Sequence, residues 1–116
     1  MEVRVIGFAP PIVGVEKSFN TFRIGSFYTK NLKEGEEVLL LNEKEKMIFG
    51  RARVSKIDDG KLRELCLIHA HMNHSHLHVD PSQAPAMLFK KLQRLYGPHI
   101  AEPNKRATVV YLERIE

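Results

Sequence analysis

Alternation of apolar and polar residues is the first order visible along this chain. In MEVRVIGF, Glu2 and Arg4 alternate with Val3 and Val5, the period of a half-buried strand. Ala9-Pro10-Pro11 then ends it, because proline has no N–H to give a ladder and restricts the residue before it. After Gly14, Phe19, Thr21 and Arg23 fall on one parity and Asn20, Phe22 and Ile24 on the other, which predicts a second strand. Gly25-Ser26 and Gly35 bracket a segment that reads as a loop carrying Phe27, Tyr28, Lys30 and Lys33, and loops on a rigid scaffold commonly carry function. The run Val38-Leu39-Leu40-Leu41 within 36–42 is short and continuous, as in a strand buried on both faces. Lys44-Glu45-Lys46 marks a hairpin corner. From Met47 to Ile57 a small apolar face (Ile48, Gly50, Ala52, Val54) alternates with one bearing Arg51 and Arg53, and Asp58-Asp59-Gly60 predicts its end. A fifth strand follows at 107–115, rich in β-branched and aromatic residues.

The period changes between the fourth and fifth strands. Leu62, Leu65, Cys66, His69, Met72 and Asn73 recur at helical spacing, predicting a helix that begins near Lys61. Asp80 with Gln83 has the form of a capping box, and Met87, Leu88, Leu92 and Leu95 form the expected buried stripe of a second helix, with Lys90, Lys91 and Arg94 elsewhere. Gly97-Pro98 stops it. No repeat or low-complexity tract interrupts the chain.

Composition narrows the setting. With 116 residues, the chain is expected to form one domain spanning 1–116. An apolar fraction of 43% and a charged fraction of 28% are those of an ordinary globular protein, and no apolar run approaches the length of a membrane span. The opening segment lacks the features of a signal peptide, and the single cysteine, Cys66, has no partner for an internal disulfide. A cytoplasmic protein is expected, without a membrane. The net charge of +4, from 18 Lys and Arg against 14 Asp and Glu, permits a phosphate-rich partner without demanding one. Lys30 with Lys33, Arg51 with Arg53, and Lys90 with Lys91 and Arg94 are separate basic groups, each first read as a solvated face.

Five of the six histidines lie in the ten residues HAHMNHSHLH. On one continuous helix over 62–78, His71, His74 and His78 would fall within about 60° of each other on the face opposite the leucines, while His69 and His76 would face the core. An outer trio without Cys, Asp or Glu beside it makes a poor metal site, so no metal and no cofactor is assigned. No phosphate loop, Cys-x-x-Cys pair or nucleophile elbow is present, and Cys66 on an apolar face reads as packing.

Thr21-Phe22-Arg23, Leu32-Lys33-Glu34-Gly35-Glu36-Glu37-Val38-Leu39-Leu40 and Ile48-Phe49-Gly50-Arg51-Ala52-Arg53-Val54 together resemble the ASCH domain of the PUA-like superfamily. Ile68-His69-Ala70, Leu95-Tyr96-Gly97 and Val109-Val110-Tyr111-Leu112 extend the resemblance over most of the chain. It implies an α+β fold: a small PUA-like β-barrel of five to six strands with two main helices packed at its openings, and a cleft near the second strand. It also implies association with RNA or a modified nucleoside. One ASCH branch removes the acetyl group from N-acetylated cytidine with a Lys, a Thr and a Glu. Lys17 and Thr21 lie near the matching positions and Arg23 matches the branch's arginine, but Asn73 stands where the Glu would be, with His69 and His74 nearby as bases.

The expected function is therefore an RNA- or nucleotide-binding domain. Its expected ligand-binding residues are Arg23, Tyr28, Phe27, Lys30, Arg51 and Arg53, with the two aromatic rings suited to stacking on a base. An amidohydrolase using Lys17, Thr21, His69, Asn73 and His74 is the catalytic alternative, and a protein-interaction module is the third.

Overall fold

A computed structural model describes residues 4–9, 12, 15, 17–77 and 79–115. Five strands form one mixed sheet in the order β1-β3-β4-β5-β2, with β1 at Arg4–Phe8, β2 at Ser18–Ile24, β3 at Glu37–Asn42, β4 at Met47–Lys61 and β5 at Arg106–Arg114. Only β1 and β3 run parallel; every other pair is antiparallel. The sheet curls into a half-barrel whose inner face holds Ile6, Phe8, Phe19, Val38, Leu40, Ala52, Val54, Val110 and Leu112. β3 is not equally buried on both faces: Val38 and Leu40 are enclosed, whereas Leu39 and Leu41 are half-buried, so the run follows the alternation of a pleat.

β4 is the hinge of the sheet. Its first half pairs with β3 and its second half with β5, and a register shift between Val54 and Lys56 lets one strand serve both neighbours. The predicted end at Asp58-Asp59-Gly60 is overridden. β5 is long enough to supply ladder partners down to the Lys61↔Arg106 pair, and the Arg106 guanidinium holds the Asp59 carboxylate. At the other end of β4 the hairpin is shaped by Asn42, whose Oδ1 accepts the N–H groups of Lys44 and Glu45, each at 3.1 Å.

The helices depart from the sequence reading in three places. The segment predicted as a loop after Gly25 contains a short helix, α1, at Phe27–Asn31, packed against the inner core through Tyr28. The second helix, α2, occupies Leu62–His69 and stops there, followed by a 3-10 turn at Ala70–Met72 and an extended Asn73. Its N-terminal N–H groups are satisfied from outside, Leu62 donating to the Lys105 carbonyl at 2.8 Å and Arg63 to that of Pro103 at 3.0 Å. Asp80 does not cap the third helix: its Oδ1 accepts from the Ser82 N–H and hydroxyl, and α3 begins only at Ala84, running to Tyr96. The stripe of α3 is narrower than expected, since Ala84, Leu88 and Leu92 are buried whereas Met87 and Leu95 are exposed. α2 and α3 cover the sheet face that carries Phe22, Ala107 and Val109, forming a second core with Leu62, Leu65 and Cys66. Burial pushes the Cys66 thiol up to about 12, in keeping with a packing role.

Arg114 ties the segment before β2 to β4. It donates to the Val15 carbonyl at 2.9 Å and to the Phe49 carbonyl at 2.7 Å, with its guanidinium 5.5 Å from the centre of the Phe49 ring. Gly50 makes room for it, because a Cβ there would meet the guanidinium at 2.3 Å. Gly50→Ala is expected to lower stability by about 1–3 kcal/mol through displacement of these bonds, measured by urea denaturation; an unchanged midpoint would show that Arg114 has another place to sit.

Candidate functional site

The strand order leaves β1 and β2 at opposite edges, and the curl brings those edges face to face. The Phe8 and Phe19 rings meet edge to face with centroids 5.9 Å apart, and Arg23 on β2 donates to the Gly7 carbonyl on β1. Part of the β2 edge is covered. Asn20 forms an isolated bridge with Asn73, and the His74 N–H donates to the Asn20 carbonyl at 3.0 Å. Lys17 and Gly25 both bond to β5, so alternation along the strand turns the backbone groups of Asn20, Phe22 and Ile24 the other way, toward the open edge. Beyond the Asn20 bridge, among the described residues, no strand pairs with that edge.

A cleft of about 90 Å³ lies there. Thr21 and Arg23 enter from β2, Gly7 and Phe8 from β1, Asn73, His74 and Ser75 from the turn after α2, and Lys91, Leu95 and Tyr96 from α3. Glu43 is the one carboxylate among its described lining residues. Arg23 is half-buried, with its guanidinium 5.5 Å from the Phe8 ring centre and 5.7 Å from that of Tyr28. Its Nε is buried without a hydrogen-bond partner, so donor capacity remains. Asn73 is committed to its own turn, its Oδ1 accepting from the Ser75 N–H at 3.0 Å and hydroxyl at 2.7 Å. The His74 ring stands edge-on to Phe8 at 4.9 Å and is buried, not on an outer face as the continuous-helix reading placed it. Burial, with Arg94 nearby, holds the Lys91 amine below the usual lysine range.

The structure thus brings Thr21, Arg23, Asn73 and His74 together, with Tyr28 beneath Arg23. It does not bring in Lys17, which is exposed and whose carbonyl accepts from Arg114. Phe27 is exposed with Arg4 over its ring, and Lys30 is exposed in the last turn of α1. Arg51 and Arg53 reach the same partner, Glu37, at 3.9 and 3.1 Å, on the strand pair β3–β4. Lys91 was missed. It lies three residues after Leu88 and four before Leu95, inside the helical stripe, and that spacing was the available signal.

His69 does something else. Its Nδ1 is 2.6 Å from the Tyr111 hydroxyl and its Nε2 is 2.6 Å from Asp58 Oδ2, while its carbonyl accepts from Asn20 Nδ2 at 2.8 Å. Both ring nitrogens are therefore engaged on the helix side of the sheet, and His69 does not line the cleft. Burial raises the Tyr111 hydroxyl above its ordinary range, with the nearby Asn20 amide partly offsetting this and the Asp58 carboxylate adding to it. Among the described residues no group of three or more His, Cys, Asp or Glu is placed to hold an ion. His78, which the continuous-helix reading put beside His71 and His74, lies outside the described residues. His69→Ala is expected to destabilise the protein by about 2–4 kcal/mol, leaving two polar partners unmatched, and Tyr111→Phe by about 0.5–1.5 kcal/mol. Thermal melting would check this order, and a smaller loss in His69→Ala would contradict it.

No protein-family model matches the sequence, and no curated protein matches it. Solved structures do share its architecture. A protein of Enterococcus faecalis V583 carrying the family designation DUF984 superposes with a TM-score of 0.63 at 11% identity, over 89% of this chain and 64% of that one. A Tyr-to-Phe variant of the ASCH protein of Zymomonas mobilis superposes with a TM-score of 0.56 at 17% identity, over 97% of this chain and 71% of that one. A Ser-to-Ala variant of the same protein gives 0.55 at 15% identity, over 97% and 70%. The chain thus spans about two thirds of the length of these structures. Its half-barrel of five mixed strands, with α2 and α3 packed on the outer face and α1 against the inner core, is an ASCH-like fold.

Proposed function

We propose that the cleft between β1 and β2 binds a nucleotide, either free or as part of an RNA. The observation that carries this reading is the pairing of a half-buried arginine, Arg23, with a half-buried lysine, Lys91, in one cleft that also offers polar side chains. A guanidinium seated against aromatic rings keeps a fixed orientation toward a planar or bidentate anion. The volume of about 90 Å³ is well below the ~300–1,000 Å³ of pockets that enclose a whole drug-sized ligand. A phosphate or a base edge would enter while the remainder of the nucleotide stays outside. Among the described residues no helix is long and apolar enough to cross a membrane.

Titration of a short single-stranded RNA against salt tests the reading. Affinity is expected to fall steadily as salt rises, and Arg23→Ala is expected to weaken binding roughly ten- to a hundredfold, the loss of a charged hydrogen bond of about 1.5–3 kcal/mol. Absence of binding by the folded wild type at low salt would remove the proposal.

A second reading is favoured by one observation: the Thr21 hydroxyl shares the cleft with the Lys91 amine, whose affinity for a proton is lowered. For N-acetylated cytidine, Thr21 Oγ would attack the acyl carbon while Lys91 accepts its proton. The C–N bond would break as the proton passes to the leaving nitrogen, and water would then release acetate. Arg23 or the Phe22 N–H would hold the oxyanion. Under this reading Thr21→Val abolishes deacetylation followed by chromatography, whereas Lys17→Ala leaves the rate within about twofold. No turnover by the wild type would dismiss it.

A further inference from the structure

The outer surface of α3 continues the basic wall of the cleft. Ala84–Tyr96 carries Lys90, Lys91 and Arg94 and no acidic residue. Lys91 lines the cleft, whereas Lys90 and Arg94, one helical turn apart, line a neighbouring hollow of about 570 Å³ together with His76 and Gln93. Among the described residues, none of the three cations is paired with a carboxylate; the ion pairs lie elsewhere, on β3, β4, β5 and α2. The group is crowded enough for its members to oppose one another. Burial and Arg94 disfavour the charge on Lys91, and burial and Lys91 disfavour the charge on His76. Like charges at such spacing destabilise a helix surface, and a polyanion lying over them would offset that repulsion. Tyr96, exposed at the end of α3 and also lining the cleft, presents a ring on which an unpaired base can stack.

We propose that single-stranded RNA runs from the cleft across α3, with one nucleotide held at Arg23 and Lys91 and successive phosphates on Lys90 and Arg94. The proposal rests on the cleft being a nucleotide site and adds the path, the polarity of the surface and the polymer. A single strand fits where a duplex does not, because the cleft admits one small group and stacking on Tyr96 requires an unpaired base.

The experiment compares labelled oligouridylate with uridine monophosphate on wild type and on the double variant K90A/R94A. Lys90 and Arg94 are both exposed, so the variant keeps the fold. The oligomer is expected to bind more tightly than the mononucleotide, and its salt slope to become shallower by about 1.4 in the double variant, two contacts at ~0.7 each. Mononucleotide affinity is expected to stay the same, and the charge-conserving Lys90→Arg with Arg94→Lys is expected to keep the wild-type slope. An unchanged slope in K90A/R94A, or tighter binding of a matched duplex, would overturn the path while leaving the cleft reading intact if the mononucleotide still binds. Failure of both ligands to bind would remove the path and the cleft reading together.

Discussion

The seam between β1 and β2 is the constraint from which the site follows. A five-stranded sheet that curls without closing leaves two edges with unpaired backbone groups, and such edges must be covered or bridged. Here the bridge is made by side chains. Phe8 meets Phe19 across the gap and Arg23 reaches the Gly7 carbonyl. A side-chain bridge holds the edges near one another without filling the space between them, and the space left is the cleft. Arg23 therefore has two tasks, since the guanidinium that ties the edges together also supplies the positive wall.

What covers the rest of the β2 edge is fixed from the other side of the sheet. His69 is held between Asp58 on β4 and Tyr111 on β5, and its carbonyl anchors the Asn20 side chain. That arrangement ends α2 where it does, and the chain then turns so that Asn73 meets Asn20 and His74 seals the inner end of the cleft against Phe8. The histidine-rich segment thus divides by position. His69 is a structural clamp, His74 is a wall of the cleft, and His76 lines the hollow beside α3.

Legibility followed the range of the forces involved. β1, β2, β4 and β5 were visible because alternation and β-branched residues are local signals, β3 stood out as a short apolar run, and the resemblance singled out Thr21 and Arg23. Asp58-Asp59-Gly60 misled because turn chemistry was outweighed by a long partner strand and the Arg106–Asp59 pair, neither of which is local. α2 was drawn too long for a similar reason: helical spacing continues through Met72 and Asn73, but the bridge to Asn20 ends it. Lys91 was hidden by its type, since a lysine beside two other cations reads as surface even when its spacing places it among leucines. Lys17 was placed by resemblance alone, and it sits exposed just before β2, outside the cleft lining.

The central claim is that the open β2 edge and the facing side of α3 form one binding site. Amide proton–nitrogen correlation spectra recorded during a titration with uridine monophosphate test it directly, since the Phe22 N–H points to that edge. The account predicts shifts concentrated at Phe22, Arg23, His74, Ser75 and Lys91. Shifts centred instead on the apolar groove between α2 and α3, around Leu67 and Phe89, would contradict it.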